Sequence, residues 1–144
     1  EHSVASLVSF VKYYFPDCNV VSAAISGYLE MKDINTLSDH IYNEIKDKKV
    51  LIIASVDFSH YLSYEEANKK DKITRKALQA RNLKKIYSFT DDNMDSPETI
   101  ITLLEVMGKM GADKEIILQN LNSFDIVPKN TEETTSYFSV VYFK

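Results

Sequence analysis

The stretch Val50-Leu51-Ile52-Ile53-Ala54-Ser55-Val56-Asp57-Phe58-Ser59-His60-Tyr61 decides how the rest of the chain reads. Val50–Val56 is an unbroken run of apolar or small residues. A run of that kind predicts a strand buried on both faces, as in a parallel sheet. Polar and ionisable residues begin at Asp57, where the strand ends. Open α/β sheets bind ligands at the carboxyl ends of their strands, where the flanking helices leave a crevice.

Upstream, Asp33–Lys46 places Ile34, Leu37, Ile41 and Ile45 on one helical face, with Asp33 as the expected cap. Before that helix, Cys18–Ile25 is a short β-prone run closed by Gly27. Strand, helix and strand in this order predict a right-handed βαβ unit. Ser3–Phe15 has helical spacing at Val4, Leu7, Val8, Val11 and Tyr14, and Pro16 stops it. Downstream, Tyr64–Arg81 predicts an amphipathic helix with Ala67, Ile73, Ala77 and Leu78 inward, followed by a short piece at Leu83–Phe89. Pro97 suits a first helical turn, and Thr99–Met110 continues it with Ile100, Leu103, Leu104 and Met107 inward until Gly111. Glu115–Leu121 and Ser136–Phe143 predict strands, the second alternating Phe138, Val140 and Tyr142 against Tyr137, Ser139, Val141 and Phe143. The expected fold class is α/β, a mixed and largely parallel sheet with helices on both faces.

The chain has 144 residues, about one domain's worth, with 44% hydrophobic and 26% charged residues. Nine Tyr and seven Phe exclude a disordered chain, and three Gly leave no room for a glycine-rich phosphate loop. A net charge of −4 excludes a globally basic nucleic-acid surface. A single cysteine, Cys18, forms no internal disulfide, and the cytoplasm is the expected compartment. No apolar run approaches the roughly 18 residues of a membrane span.

Four clusters carry potential chemistry. Asp57 and His60, with Ser59 and Tyr61 around them, suit a general acid/base pair or a metal site of imidazole and carboxylate. The alternative is a turn capped by Asp57 and hydrogen-bonded to His60. Glu1-His2-Ser3 offers a histidine beside an acid at a helix entrance, either a ligand or a solvated terminus. Asp95-Ser96-Pro97 offers Ser96 as helix cap and Asp95 at a helix start that favours anions. Glu132–Tyr137 reads as turn chemistry before a strand, His40 as surface, Cys18 as a small buried hydrophobe, and Asp125 as a loop acid without an obvious partner.

Taken in order, these fragments resemble the Memo-like family, known in microbes as AmmeMemoRadiSam system protein B. Glu1-His2-Ser3-Val4 resembles its E-H-S-[IV]-E helix opening, and Phe10–Asp17 the run that follows. Ala54–Tyr61 resembles its S-S-D-[FL]-S-H-[YW] signature. Lys70-Asp71-Lys72, Asn122-Ser123 and Thr134–Tyr137 resemble later segments. The resemblance implies a fold similar to class III extradiol ring-cleaving dioxygenases, which are non-heme iron enzymes. By analogy it makes His2, His60 and Asp95 metal ligands. Asp57 becomes an acid/base or the group that orients His60, with Ser59, Tyr61 and Ser96 lining the pocket.

This sequence departs from the family pattern in three places. No P-H-A-G-type histidine segment is present. Ala5 replaces the second acid of the helix opening, and Asn93–Pro97 carries no cysteine. A hard carboxylate oxygen in place of a thiolate favours Fe(II) or Mn(II), or another divalent transition metal of that kind, over copper. The expectation is a single Memo-like domain over residues 1–144, cut on its N-terminal side, acting as a metal-dependent oxidoreductase on an unidentified small molecule. An unpaired sheet edge would favour a homo-oligomer. The alternative is a non-catalytic binding module that has lost the metal and takes a peptide or small anion at the Pro97 helix start.

Overall fold

The structure is a computed structural model that describes residues 2–129 and 132–144, without the side chain of His2. Helix α1 spans His2–Tyr14 and stops before Pro16, as its pattern predicts. Helix α2 spans Met31–Ile45 and is capped three residues earlier than its expected cap, Asp33. Its cap position is Glu30, and Asp33 lies in the first turn, where a negative charge still complements the helix dipole. The start moves forward because Leu29 and Met31 join the apolar contacts of the core.

Helix α3, Tyr64–Gln79, begins at Ser63, whose hydroxyl oxygen accepts the Glu66 N–H. Short helix α4, Leu83–Tyr87, is capped the same way by Asn82, which accepts the Lys85 N–H. Helix α5, Pro97–Lys109, has its proline in the first turn and ends before Gly111, which takes a left-handed φ of 72°. Helices α2 and α5 pack on one another, with Ile34, Ile100, Ile101 and Leu104 buried between the elements. Ala77 and Leu78 of α3, Ile86 of α4, Phe58, Phe89 and Met94 complete this core. Ile73, expected inward, is exposed instead, and the inward positions of α3 include Asp71 and Thr74.

Three strands form one sheet in the order β1-β3-β2: β1 at His60–Leu62, β2 at Lys114–Asn122 and β3 at Thr134–Phe143. Both pairings are antiparallel. β3 shows the predicted alternation, with Phe138, Val140 and Tyr142 half-buried and Tyr137, Ser139, Val141 and Phe143 exposed. Arg75 of α3 lies over the Phe138 ring and Arg81 over the Tyr142 ring, so their cations face aromatic surface of the sheet. A short helix, α6 at Ser123–Ile126, turns the chain away from β2 through a capping box between Asn122 and Asp125.

The α/β class stands, but the sheet of the described residues is antiparallel rather than largely parallel. Cys18–Ile25 and Val50–Val56 have no ladder partner among the described residues and are not strands. The physical reason is visible in Val50–Val56. Ile52, Ala54 and Val56 are half-buried while Leu51, Ile53 and Ser55 are exposed, the period-two pattern of a strand with one face covered. The segment is extended, and Ala54 and Val56 touch the core. Among the described residues its backbone has no neighbour that would turn extension into a ladder.

Ile101 is fully buried in α5, whereas Ile73 is 45% exposed. Ile101→Ala is therefore expected to lower stability by about 2–5 kcal/mol, and Ile73→Ala by about 0.5 kcal/mol or less. Urea unfolding of both variants checks the pair, and equal losses would contradict the packing described.

Candidate functional site

The segment Asp57–Leu62 joins the unpaired extended run to β1. Phe58 is buried, its ring 4.6 Å from that of Phe138, and it bridges to Met94. The Asp95 N–H donates to the Asp57 carbonyl at 3.0 Å, so the two acidic residues are stitched together through the backbone. Ser136 of β3 faces two residues at once: Phe58 N–H donates to its carbonyl at 3.2 Å and its own N–H donates to the Ser59 carbonyl at 2.8 Å. Two residues opposite one make a bulge, which bends the strand. Tyr61 follows with a φ of 55°, a left-handed conformation that a non-glycine side chain adopts at a cost.

This bend sets the His60 ring. Its Nδ1 lies 3.0 Å from the Phe58 carbonyl, so Nδ1 points its proton at that oxygen, and in the neutral ring Nε2 is the acceptor. The Tyr61 ring stands edge-on to it at 4.8 Å. The sequence reading offered Asp57 as the group that orients His60. The structure gives that contact to the Phe58 carbonyl.

Asp95 remains exposed as a residue, yet its carboxyl lies close enough to protein atoms to lose part of its hydration. That loss, with repulsion from the Asp57 carboxylate, holds its pKa above the usual carboxylate range, while His60 pulls the other way. Burial, and then the Asp57 charge, also push the Tyr137 hydroxyl up. Asp57, His60, Asp95 and Tyr137 thus share one electrostatic neighbourhood. Asp57 and Asp95 are joined through the backbone, and the charges of Asp57 and His60 both reach the Asp95 carboxyl. Glu1 and the His2 side chain lie outside the described residues.

The other expected residues take definite places. Ser59 is fully buried, and its hydroxyl donates to Asp71 at 2.7 Å. Tyr61 is 79% exposed beside the His60 ring. Ser96 holds the cap position of α5 but makes no side-chain bond to the helix backbone. Its hydroxyl instead pairs with that of Thr99 at 2.6 Å. Among the described residues, no three His, Cys, Asp or Glu side chains are grouped to hold a metal ion.

Three side chains take roles that their local motifs do not announce. The charge of Asp57 reaches the hydroxyl of Tyr137 on β3. Asp125, read as partnerless, accepts from the Tyr64 hydroxyl at 2.7 Å and from the Asn122 N–H at 2.9 Å. Asp71, 3% exposed, accepts from Ser59, Ser136 and Asn120. The signal for Asp71 was present: Ala67, Asp71, Thr74 and Leu78 follow helical spacing, which sets a carboxylate on the buried stripe of α3.

A family model described as Memo-like protein matches residues 1–141, nearly the whole chain. The chain belongs to the Memo-like family. Similar Memo-like chains include a MEMO1 family protein of Methanococcus maripaludis strain C5, 31% identical over 98% of this chain and 52% of the relative. Another is a MEMO1 family protein of Methanococcus maripaludis strain S2, 29% identical over 98% of this chain and 52% of the relative. A third, from Aquifex aeolicus, is 27% identical over 99% of this chain and 40% of the relative. The chain thus spans about half the length of the curated relatives it matches. No solved structure matches it significantly. No helix among the described residues is long and apolar enough to cross a membrane.

In this Memo-like chain the Asp95 carboxyl is expected to titrate above an ordinary aspartate, and Asp57→Asn to lower its pKa without removing the part due to burial. The sign for stability follows. A carboxyl with a raised folded pKa takes up protons on folding, so its contribution is present below the ordinary aspartate pKa and is lost as pH rises toward the folded value. Carbon-detected NMR titration of both proteins checks this, and an unmoved Asp95 in Asp57→Asn would contradict the proximity.

Proposed function

We propose that this Memo-like chain carries a small-molecule site whose working group is the Nε2 atom of His60, flanked by Asp57 and Asp95, and that it belongs to chemistry of the oxidoreductase type. The observation that supports this reading is the Nδ1 contact to the Phe58 carbonyl. With Nδ1 held as the donor, the neutral ring offers Nε2 as its acceptor, as a general base does, near the acidic residues Asp57 and Asp95. Asp95, whose pKa is held above the usual carboxylate range chiefly by burial, is the second acid/base group of the site. The exposed Tyr61 ring walls one side of the imidazole. Catechol is a fitting probe, given the family's likeness to ring-cleaving dioxygenases. Titrated into the 15N-labelled chain, it is expected to shift the resonances of Asp57, His60, Tyr61 and Asp95. His60→Ala is expected to weaken binding at least about tenfold, the worth of one charged or strongly polar hydrogen bond. Equal binding by the variant and the parent chain would refute the reading.

A second reading rests on the same contact. Metal-bound histidines usually give their other ring nitrogen to a carbonyl or carboxylate, as His60 does. The divalent metal that the family resemblance implies, Fe(II) or Mn(II), is not accommodated by the described side chains alone. His60 and Asp95 would supply two donors, and His2 is the proposed third. Metal analysis after Fe(II) loading under nitrogen decides the matter. One equivalent in the parent chain, lost in His60→Ala, is the expected result. No stoichiometric metal in the parent chain sinks this second reading and favours the non-catalytic module.

A further inference from the structure

We propose that Asp71 is the positioning residue of the His60 site: a buried carboxylate in α3 that clamps Ser59 to β3 and so holds the imidazole in its single orientation. This rests on the reading that His60 is the working group. Asp71 Oδ1 accepts from the Ser59 and Ser136 hydroxyls, each at 2.7 Å. Its Oδ2 accepts from the Asn120 amide at 2.8 Å. Asp71 is 3% exposed, and Ser59 and Ser136 are both fully buried. A carboxylate carried this far from water is sustained only when its oxygens are bonded, so the network is all-or-none in character.

The placement ties this network to His60 rather than to the fold in general. The contact that sets the ring runs from His60 Nδ1 back to the Phe58 carbonyl, closing a small loop around Ser59. Fixing Ser59 therefore fixes both ends of that contact. The local backbone does not suffice for this. β1 is only three residues long, its pairing with β3 shifts register between His60 and Leu62, and Tyr61 sits at a φ of 55°. A strained residue on a short, bulged strand keeps its conformation only when its surroundings over-determine it. Asp71 supplies that constraint by binding Ser59 and its backbone partner Ser136 through one oxygen.

The test reads the tautomer of His60 by 15N NMR of the full chain at neutral pH, and it needs neither metal nor substrate. The parent chain should show one protonated ring nitrogen and one acceptor nitrogen. Asp71→Ala and Ser59→Ala should each lose that asymmetry, the two nitrogen shifts moving toward one another as both tautomers populate. Asp71→Asn keeps an amide oxygen facing Ser59 and should restore it. Thr74→Val is the control: it removes the buried hydroxyl that accepts from Asn93 at 2.9 Å, on the same face of α3, without touching Ser59. It should lower stability and leave the His60 signature intact. If Asp71→Ala fails to fold, Ser59→Ala carries the test alone. An unchanged signature in Ser59→Ala, or an equal change in Thr74→Val, overturns the proposal. Failure of catechol or Fe(II) to bind bears on the proposed function and leaves this readout untouched.

Discussion

The pairing of β3 with both of its neighbours is the constraint on which the rest of the molecule depends. On one side β3 runs antiparallel to β2 from Lys114–Phe143 to Asn122–Ser136, and on the other it receives the short β1. Its half-buried residues Phe138 and Tyr142 pack toward the helical core and lie beneath the cations of Arg75 and Arg81. At the other end, its buried Thr134 and Ser136 turn from packing to hydrogen bonding. Thr134 donates to the Leu62 carbonyl at 2.9 Å, and Ser136 to Asp71. One strand thus changes character along its length, apolar where it supports the core and hydroxylated where it supports the site.

Much of this was legible in the sequence because its signals are local. The helices follow from 3.6-residue spacing and from Pro16, Pro97 and Gly111, and β2 and β3 from period-two alternation. Asp57 and His60 stood out because ionisable residues follow an apolar run. What was not legible is pairing. An apolar run such as Val50–Val56 reports that a segment is extended and that both its faces suit burial, but not which backbone lies beside it. Ladder formation is a property of two segments, and none of the described residues offers the second.

Buried polar residues were hidden for a related reason. Ser59, Asp71, Asn122, Thr134 and Ser136 read singly as turn or surface chemistry, since Ser, Thr, Asn and Asp mostly serve that purpose. Their burial becomes intelligible only when the elements bring them together. Asn122 then donates to Thr134 at 2.9 Å, and Ser59 and Ser136 share one oxygen of Asp71. Ile73 and Asp71 illustrate the trade within one helix. A hydrophobicity-based reading turns Ile73 inward, whereas α3 sets Asp71 against two buried serines and leaves Ile73 exposed.

The position of His60 follows from the same division. It lies at the boundary between a segment whose outer face, Leu51 and Ile53, is open and a strand that is paired. A side chain on such a boundary takes its rigidity from whichever side is braced. Upstream of Asp57 no ladder among the described residues holds the backbone; downstream, β3, α3 and the buried acceptor between them do. The ring orientation on which the site depends is therefore inherited from Asp71, Ser136 and Phe58 and not from the apolar run that marked the site in the sequence.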